Sequence, residues 1–361
     1  MLFGAANAQT ADKTATIETQ NLLRNLKKLL SKGIMFGHQD DLAYGVEWKY
    51  EPGRSDIKDV TGEYPAVYGW DLAGLEKGSK VNIDGVPFDK MREFIQQGYG
   101  RGGVITISWH LDHPLTGKNA WDTTHGAVTA VLPGGAANAI YTAWLDRVAD
   151  FSLSLKGVKG ELIPILFRPF HELSGNWFWW TKNTCSPEEF KQLWIYTFDY
   201  LRDIKKVHNF LYVYNTGGNF NSAEQFLERY PGEHYVDVIS FDDYQSGDPA
   251  KDNRFVKELS FKLNILDSLA TELHKIPALG ETGYVAIPYP EWWTKVLWKA
   301  IADHRVSYVL LWRNHGMLDG KMHYYAPYKG QVSERDFRSF YKLEKVFFEN
   351  KTRQQNLYDN P

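Results

Sequence analysis

The chain alternates short, nearly continuous apolar runs with longer stretches whose apolar positions recur at helical spacing. Eight runs read as strands: Gly33 to Gly37, Pro65 to Gly69, Gly103 to Ser108, Leu162 to Phe167, Phe210 to Tyr214, Val236 to Ser240, Ile276 to Gly280 and Val306 to Leu311. Runs this short and unbroken fit parallel strands buried on both faces. Between them, Asn138 to Leu155, Pro187 to Val207, Asp252 to His274 and Pro290 to His304 carry helical periodicity. Ser186-Pro187-Glu188-Glu189 is a capping box with proline at the first helical position. Strand–helix repetition over eight strands predicts an α/β fold, the (β/α)8 TIM barrel. A doubly wound open sheet is the alternative, but no Gly-rich dinucleotide fingerprint follows the first strand. No repeat or linker splits the chain. The expected division is a leader over residues 1–12 and one catalytic domain over residues 13–361.

The residues that follow the strands change the picture most. The runs end in His38-Gln39-Asp40-Asp41, Trp70-Asp71, Trp109-His110 and Arg168-Pro169-Phe170-His171-Glu172, then in Asn215, Asp242-Asp243-Tyr244, Glu281 and Trp312-Arg313-Asn314. In a parallel barrel all these ends converge on one face, where such folds carry out their chemistry. That face would be rich in carboxylate, imidazole and indole.

Composition narrows the partners. A net charge of −3 and a pI near 6.4 give no electrostatic case for nucleic acid or an anionic membrane, and no stretch has the apolar length of a membrane span. Most of the 13 Trp and 21 Tyr are expected in the core, but clusters such as Trp177-Phe178-Trp179-Trp180 and Trp292-Trp293 are harder to bury whole. Flat apolar faces with a polar edge suit the stacking of pyranose rings. A single cysteine, Cys185, rules out an intramolecular disulfide and reads as an inert thiol near a helix start. Leu2 to Ala8 ends in an Ala-x-Ala pattern before polar Gln9 to Asp12, like the tail of a secretory signal. The expectation is an exported protein, periplasmic or secreted, acting as a monomer.

Two glutamates suit the cleavage of a glycosidic bond. Glu172 lies beside His171 and an aromatic run, an apolar setting that raises a carboxyl pKa into the range of a general acid. Glu281 sits between small residues in Leu279-Gly280-Glu281-Thr282-Gly283, leaving room for an anomeric carbon, and Tyr244 is a donor able to orient it. Retaining hydrolysis needs two such carboxyls about 5–5.5 Å apart. A glutamate at a strand end can also simply pair with Arg168 or Arg313. The joint occurrence of both motifs, in barrel order, favours catalysis. Metal readings are weaker: His171-Glu172 lacks the second histidine of a zincin helix, and His38-Gln39-Asp40-Asp41 reads as hydrogen bonding at the barrel mouth rather than as a cation site. His110-Leu111-Asp112-His113 reads as sugar-binding through His110. No Gly-x-Ser-x-Gly elbow or P-loop occurs.

On these residues the sequence resembles glycoside hydrolase family 26, the β-mannanases of the retaining (β/α)8 clan. Arg168-Pro169-Phe170-His171-Glu172-Leu173-Ser174-Gly175-Asn176-Trp177-Phe178-Trp179-Trp180 looks like the family's acid/base segment, and Gly280-Glu281-Thr282-Gly283 like its nucleophile segment. Ser240-Phe241-Asp242-Asp243-Tyr244, Trp109-His110, Trp312-Arg313 and Gly37-His38-Gln39 match further strand ends. The resemblance implies Glu172 as acid/base and Glu281 as nucleophile. It implies His110, His171, Trp177, Tyr244, Trp312 and Arg313 as substrate-binding residues, with Arg168 and Asp242 supporting. It further implies a mannan endo-1,4-β-mannosidase acting on β-mannan and mannooligosaccharides without cofactor or metal. The rivals are a barrel glycosidase on xylan or mixed-linkage glucan, a non-catalytic glycan-binding barrel and a metal-dependent hydrolase. The segments Leu72 to Pro87 and Leu111 to Gly135 are long for βα loops. With Trp121, His113 and His125 as possible sugar contacts, they predict a partly closed glycone end and release of mannobiose.

Overall fold

In the computed structural model, which describes residues 9–360, eight parallel strands close into a barrel. They are β1 (Ile34–Gln39), β2 (Val67–Asp71), β3 (Val104–Trp109), β4 (Ile165–Pro169), β5 (Phe210–Gly217), β6 (Val238–Tyr244), β7 (Ile276–Gly283) and β8 (Tyr308–Leu311). Each pairs with the next, and β8 returns to β1 with Met35 opposite Tyr308 and His38 opposite Leu311. Outside this ring Val346–Phe347 pairs with the start of β1. All eight expected strands are present. Several run two or three residues past the apolar runs that marked them, because a parallel ladder is held by backbone bonds that are indifferent to side-chain polarity. The polar strand ends are therefore rigid ladder positions.

Alternation along each strand sorts the side chains. Met35, Val67, Val104, Leu166, Leu211, Val213, Val238, Ile276, Ala278, Tyr308 and Leu310 belong to one buried cluster, which fills the barrel and meets α1 (Ile17–Leu29) below it. Their neighbours, including Phe36, Tyr68, Ile105, Phe167, Tyr212, Ile239, Phe241, Leu279 and Val309, form a second buried layer. That layer packs against the helices, among them α2 (Phe88–Gly100), α3 (Asn138–Ser154), α4 (Pro187–Asp199) and α5 (Arg254–Glu272). Carried further along each strand, the period of two puts Asp71, Arg168, Asn215, Asp242 and Tyr244 inside the upper barrel. It turns Asp243 outward, where Lys262 of α5 donates to it at 2.7 Å.

Two helices depart from expectation. The stretch Pro187 to Val207 is α-helical to Asp199 and continues as a π turn over Tyr200–Ile204, although its capping box forms as expected. The stretch Pro290 to His304 becomes a π turn over Trp293–Leu297 followed by one α turn over Trp298–Ile301. A widened turn there lets consecutive indoles both face inward: Trp292 and Trp293 are fully buried, with ring centroids 4.8 Å apart. This corrects their expected role, since they are core and not sugar platforms. Of the leader expected over residues 1–12, Leu2 to Ala8 lie outside the described residues. Thr10 and Asp12 are buried, and Ala11 N donates to Asp237 Oδ1 at 2.7 Å.

The segment after β8 is organised by one side chain. Buried Asn314 donates to Asp56 Oδ2 (2.8 Å) and Ala326 O (3.0 Å), and accepts from the backbone of Tyr325 (3.0 Å) and Ala326 (2.9 Å). Tyr325 thereby stands against Tyr244, ring centroids 5.6 Å apart. Asn314→Ala strands three backbone groups, Ala326 O, Ala326 N and Tyr325 N, and should cost about 2–4 kcal/mol of stability, read by chemical denaturation; a loss indistinguishable from zero would show that water replaces the amide.

Candidate active site

Glu281 occupies the upper interior of the barrel through a distortion of its strand. Ala278 points inward and Leu279 outward, so strict alternation would turn Glu281 toward the helices. Instead the register slips: Leu279 lies opposite Phe241 but Glu281 opposite Asp242, leaving Gly280 as an extra residue. A bulge of this kind re-aims the following side chain. Only glycine fits at 280, since a Cβ there would sit 2.1 Å from Asn215 Oδ1 and 2.7 Å from Asp242 Oδ1. Turned inward, Glu281 accepts from Arg168 on Oε1 and from the Tyr244 hydroxyl on Oε2, the latter at 2.7 Å. Arg168 is itself buried and also donates to Asp242 Oδ2 at 3.0 Å, where Asn215 donates at 2.7 Å.

Glu172 arrives from the turn after β4. Phe170 and Glu172 both have left-handed backbones, with φ of 54° and 52°. A non-glycine residue in that region costs about 1–3 kcal/mol. The turn is held by Trp180 Nε1 donating to His171 O (2.9 Å) and by Gly175 N donating to Glu172 O (2.8 Å). The Glu172 carboxyl accepts one side-chain bond, from Trp177 Nε1 at 2.5 Å. Burial first, and then the charge of Glu281, raises its pKa to about 7. Glu172, Asp242 and Glu281 each place a carboxyl oxygen within 4.8 Å of the other two. Three carboxyls so arranged could hold a cation, but the Arg168 guanidinium already binds two of them.

A histidine pair borders the acids. Asp71, on β2, accepts from Ser108 Oγ (2.7 Å) and lies 2.8 Å from His110 Nδ1. Burial works against charge on both, yet the pairing wins: Asp71 is held down at about 2 and the His110 pKa is raised. His110 Nε2 lies 3.0 Å from His171 Nε2. Burial, then His110 and Arg168, push His171 well below the usual imidazole range, so His110 donates and neutral His171 accepts. Trp121 stacks on the His110 ring at 5.3 Å and 17°, and Trp312 lies 6.3 Å from it. Trp121 and Trp177 are exposed, Trp312 is partly so, and Trp70, Trp109, Trp179 and Trp180 are buried core.

The two long loops are tied together beside this cluster. Glu76 accepts from Gly74 N (2.8 Å), Trp109 Nε1 (3.1 Å) and Asp112 N (3.0 Å), joining the loop after β2 to that after β3. Lys77 adds a bond to Gly117 O at 2.8 Å and an ion pair with Asp112. His113 is not a sugar contact: it is buried, with Nε2 on Thr124 O at 2.9 Å and Nδ1 accepting from two backbone amides. His125 is exposed. His38, Gln39, Asp40 and Asp41 do not converge. His38 pairs with Asp41 at 2.8 Å, whereas Asp40 accepts from Tyr44 at 2.6 Å.

The sequence profile of Glycosyl hydrolase family 26 matches residues 11–278 of this chain. The chain belongs to that family. A family 26 β-mannanase structure from Bacteroides ovatus superposes with a TM-score of 0.91 at 45% identity, covering 96% of this chain and 98% of that one. A modular endo-β-1,4-mannanase from Cellulomonas fimi gives 0.86 at 34% identity, over 95% of this chain and 78% of that one. A mannan endo-1,4-β-mannosidase of Bifidobacterium adolescentis is 34% identical over 91% of this chain, which spans only 34% of that longer protein.

Within the family 26 barrel, eight of the ten residues expected from sequence lie in one connected cluster: Glu172, Glu281, Arg168, Asp242, His110, His171, Trp177 and Tyr244. Trp312 borders it, and Arg313 stands beside Trp312 with its guanidinium carbon 5.9 Å from that ring. Sequence reading missed Asp71, Asn215, Glu76, Tyr325 and Asp84, the last of which comes from the loop after β2 and pairs with Arg313 Nε at 2.8 Å. Asp71 and Asn215 stood at strand ends and could have been picked by the period of two. Glu76, Asp84 and Tyr325 sit in loops, where no periodic signal exists. If Glu172 must be protonated to act, kcat/KM should fall as pH rises through about 7. The Trp177 bond favours the ionised form, so Trp177→Phe should move that alkaline limb upward; a limb that stays or moves down would separate it from Glu172.

Proposed function

We propose that this chain is a retaining mannan endo-1,4-β-mannosidase. The observation that carries the reading is the pairing of unlike carboxyls across one cleft. Glu172, its pKa raised to about 7, makes no ion pair among the described residues, while Glu281 accepts from Arg168 and Tyr244. Oxygens within 4.8 Å suit the retaining separation of about 5–5.5 Å between carboxyl groups and leave no room for the water of an inverting mechanism. In this reading Glu281 attacks the anomeric carbon as Glu172 gives its proton to the departing glycosidic oxygen. Glu172 then takes a proton from water as the glycosyl ester is hydrolysed. Similarity to mannanases along nearly the whole barrel supports mannan over xylan or mixed-linkage glucan. Both carboxyls are in place, which argues against a non-catalytic binding barrel. A polymeric substrate suits export to the periplasm or beyond.

The tied loops and Trp121, lying over His110, support a partly walled glycone end. We expect mannobiose to dominate early digests of mannan and linear mannooligosaccharides, with slow viscosity loss per bond cut; a broad early ladder would point to an open groove. Glu172→Ala should lose about 10²–10⁴-fold on polymer, less on activated aryl glycosides in the first step, with azide restoring turnover. Equal loss on both substrates without rescue would remove Glu172 from the acid/base role.

A further inference from the structure

The chain segment that carries His110 is gripped residue by residue, and one acid supplies the outer grips. Two acids reach the end of β3 from β2 and the loop after it. Asp71 holds Ser108 Oγ and the His110 ring, and Ala73 N donates to its Oδ1 at 2.8 Å. Glu76 holds the residues on either side: Trp109 Nε1 reaches its Oε2 at 3.1 Å, and Asp112 N reaches its Oε1 at 3.0 Å. Leu111 is held from elsewhere, its carbonyl accepting from Trp179 Nε1 at 3.0 Å. Glu76 is itself fixed. It is fully buried, Gly74 N donates to its Oε2 at 2.8 Å, and Arg147 of α3 donates to its backbone carbonyl. The Trp109 ring is set by a second contact, lying nearly parallel to Tyr141 of α3 at 6.5 Å and 11°. Tyr141 is hydrogen-bonded in turn to Thr197 of α4 at 2.6 Å.

The Glu76 carboxyl forms no ion pair among the described residues; the neighbouring Lys77 pairs with Asp112 instead. A buried acid without a counter-ion costs stability. Its use lies in geometry. Three N–H donors converge on two oxygens, and a carboxylate is the side chain that offers acceptors alone. Burial raises the carboxyl to about 7, while the donors from its own turn, Asp112 and Trp109 hold it down. We propose that Glu76 is a positioning residue for saccharide binding: by gripping Trp109 and Asp112 it fixes the place of His110 between them, and of Trp121 stacked on that imidazole. This rests on the reading of His110 as a glycan contact. Asp71 sets the proton and tilt of the ring, whereas Glu76 sets where the backbone carries it.

The test reads His110 directly. Proton NMR of the unliganded protein should show a downfield ring N–H resonance that disappears in His110→Asn. Glu76→Gln keeps an oxygen for Gly74 and Trp109 but turns an amide N–H2 toward Asp112 N. It should move the His110 resonance and raise KM for mannotriose about tenfold with kcat nearly unchanged. Lys77→Ala cuts outer ties between the same loops and leaves the carboxyl's contacts alone, so the resonance should stay in place. If Glu76→Gln does not fold, Trp109→Phe, which removes one of the three bonds, should give the same shift and the same rise in KM. An unmoved resonance, an equal shift in Lys77→Ala or an unchanged KM overturns the positioning role. A parent inactive on mannotriose in which the resonance still moves would count against the mannan reading alone, leaving the hold on His110 established.

Discussion

One guanidinium sustains the acidic interior of this barrel. Asp242 and Glu281 meet buried inside the upper ring, with half-buried Glu172 close above. Burying an unpaired carboxylate is expensive, and removing one member of a buried ion pair typically costs about 3–5 kcal/mol. Arg168 reaches both Asp242 and Glu281 from β4, with Asn215 and Tyr244 supplying further donors. The arrangement depends on regular alternation in β4 and β6 and on its interruption in β7. Without the bulge at Gly280, Glu281 would face the helices and Arg168 would have one partner.

The same guanidinium separates the roles of the two glutamates. Glu281 is bound directly to it and to a phenol. Glu172 lies beyond its reach, among aromatic rings, and receives a single bond from an indole. Neighbouring carboxyls placed in such different surroundings are driven toward different protonation states, which is how one site can hold both an acid and a nucleophile. The histidine pair extends this sorting of charge. Asp71 fixes a proton on His110, and burial, reinforced by the charge on His110, keeps His171 neutral. Polar groups thus reach the sugar-facing surface without an unpaired charge beneath it.

Above the ring, control passes to loops joined by buried polar contacts. Glu76 stitches the loops after β2 and β3, Asp84 ties the first of these to Arg313, and Asn314 folds the segment after β8 so that Tyr325 backs Tyr244. These contacts link β1, β2, β3 and β8 on one side of the mouth, the side on which Trp121 and Trp312 flank His110. On the other side Ser174 and Asn219 tie the loop that carries Trp177 to the end of β5, with Gly217 N donating to Ser174 Oγ at 3.0 Å and Asn219 Nδ2 to Ser174 O at 2.7 Å.

Local sequence determined the eight strands, the helices α3, α4 and α5, the capped start of α4 and the two glutamate motifs. Apolar runs, caps and short motifs are encoded by neighbours along the chain. It also determined that polar residues would gather at one face, because parallel strands send all their C-terminal ends the same way. Tertiary structure decided which of those residues point inward, since a one-residue bulge reverses the outcome and its cause lies across the sheet in Asn215 and Asp242. It decided that Trp292 and Trp293 belong to the core and Trp177 to the cleft, a matter of what packs opposite each ring. It also decided that Asp40, read as part of a run after β1, is fully buried and accepts from Tyr44, whereas His38 pairs with Asp41. Protonation and pairing depend on distance and burial, and those arise only when the chain has closed on itself.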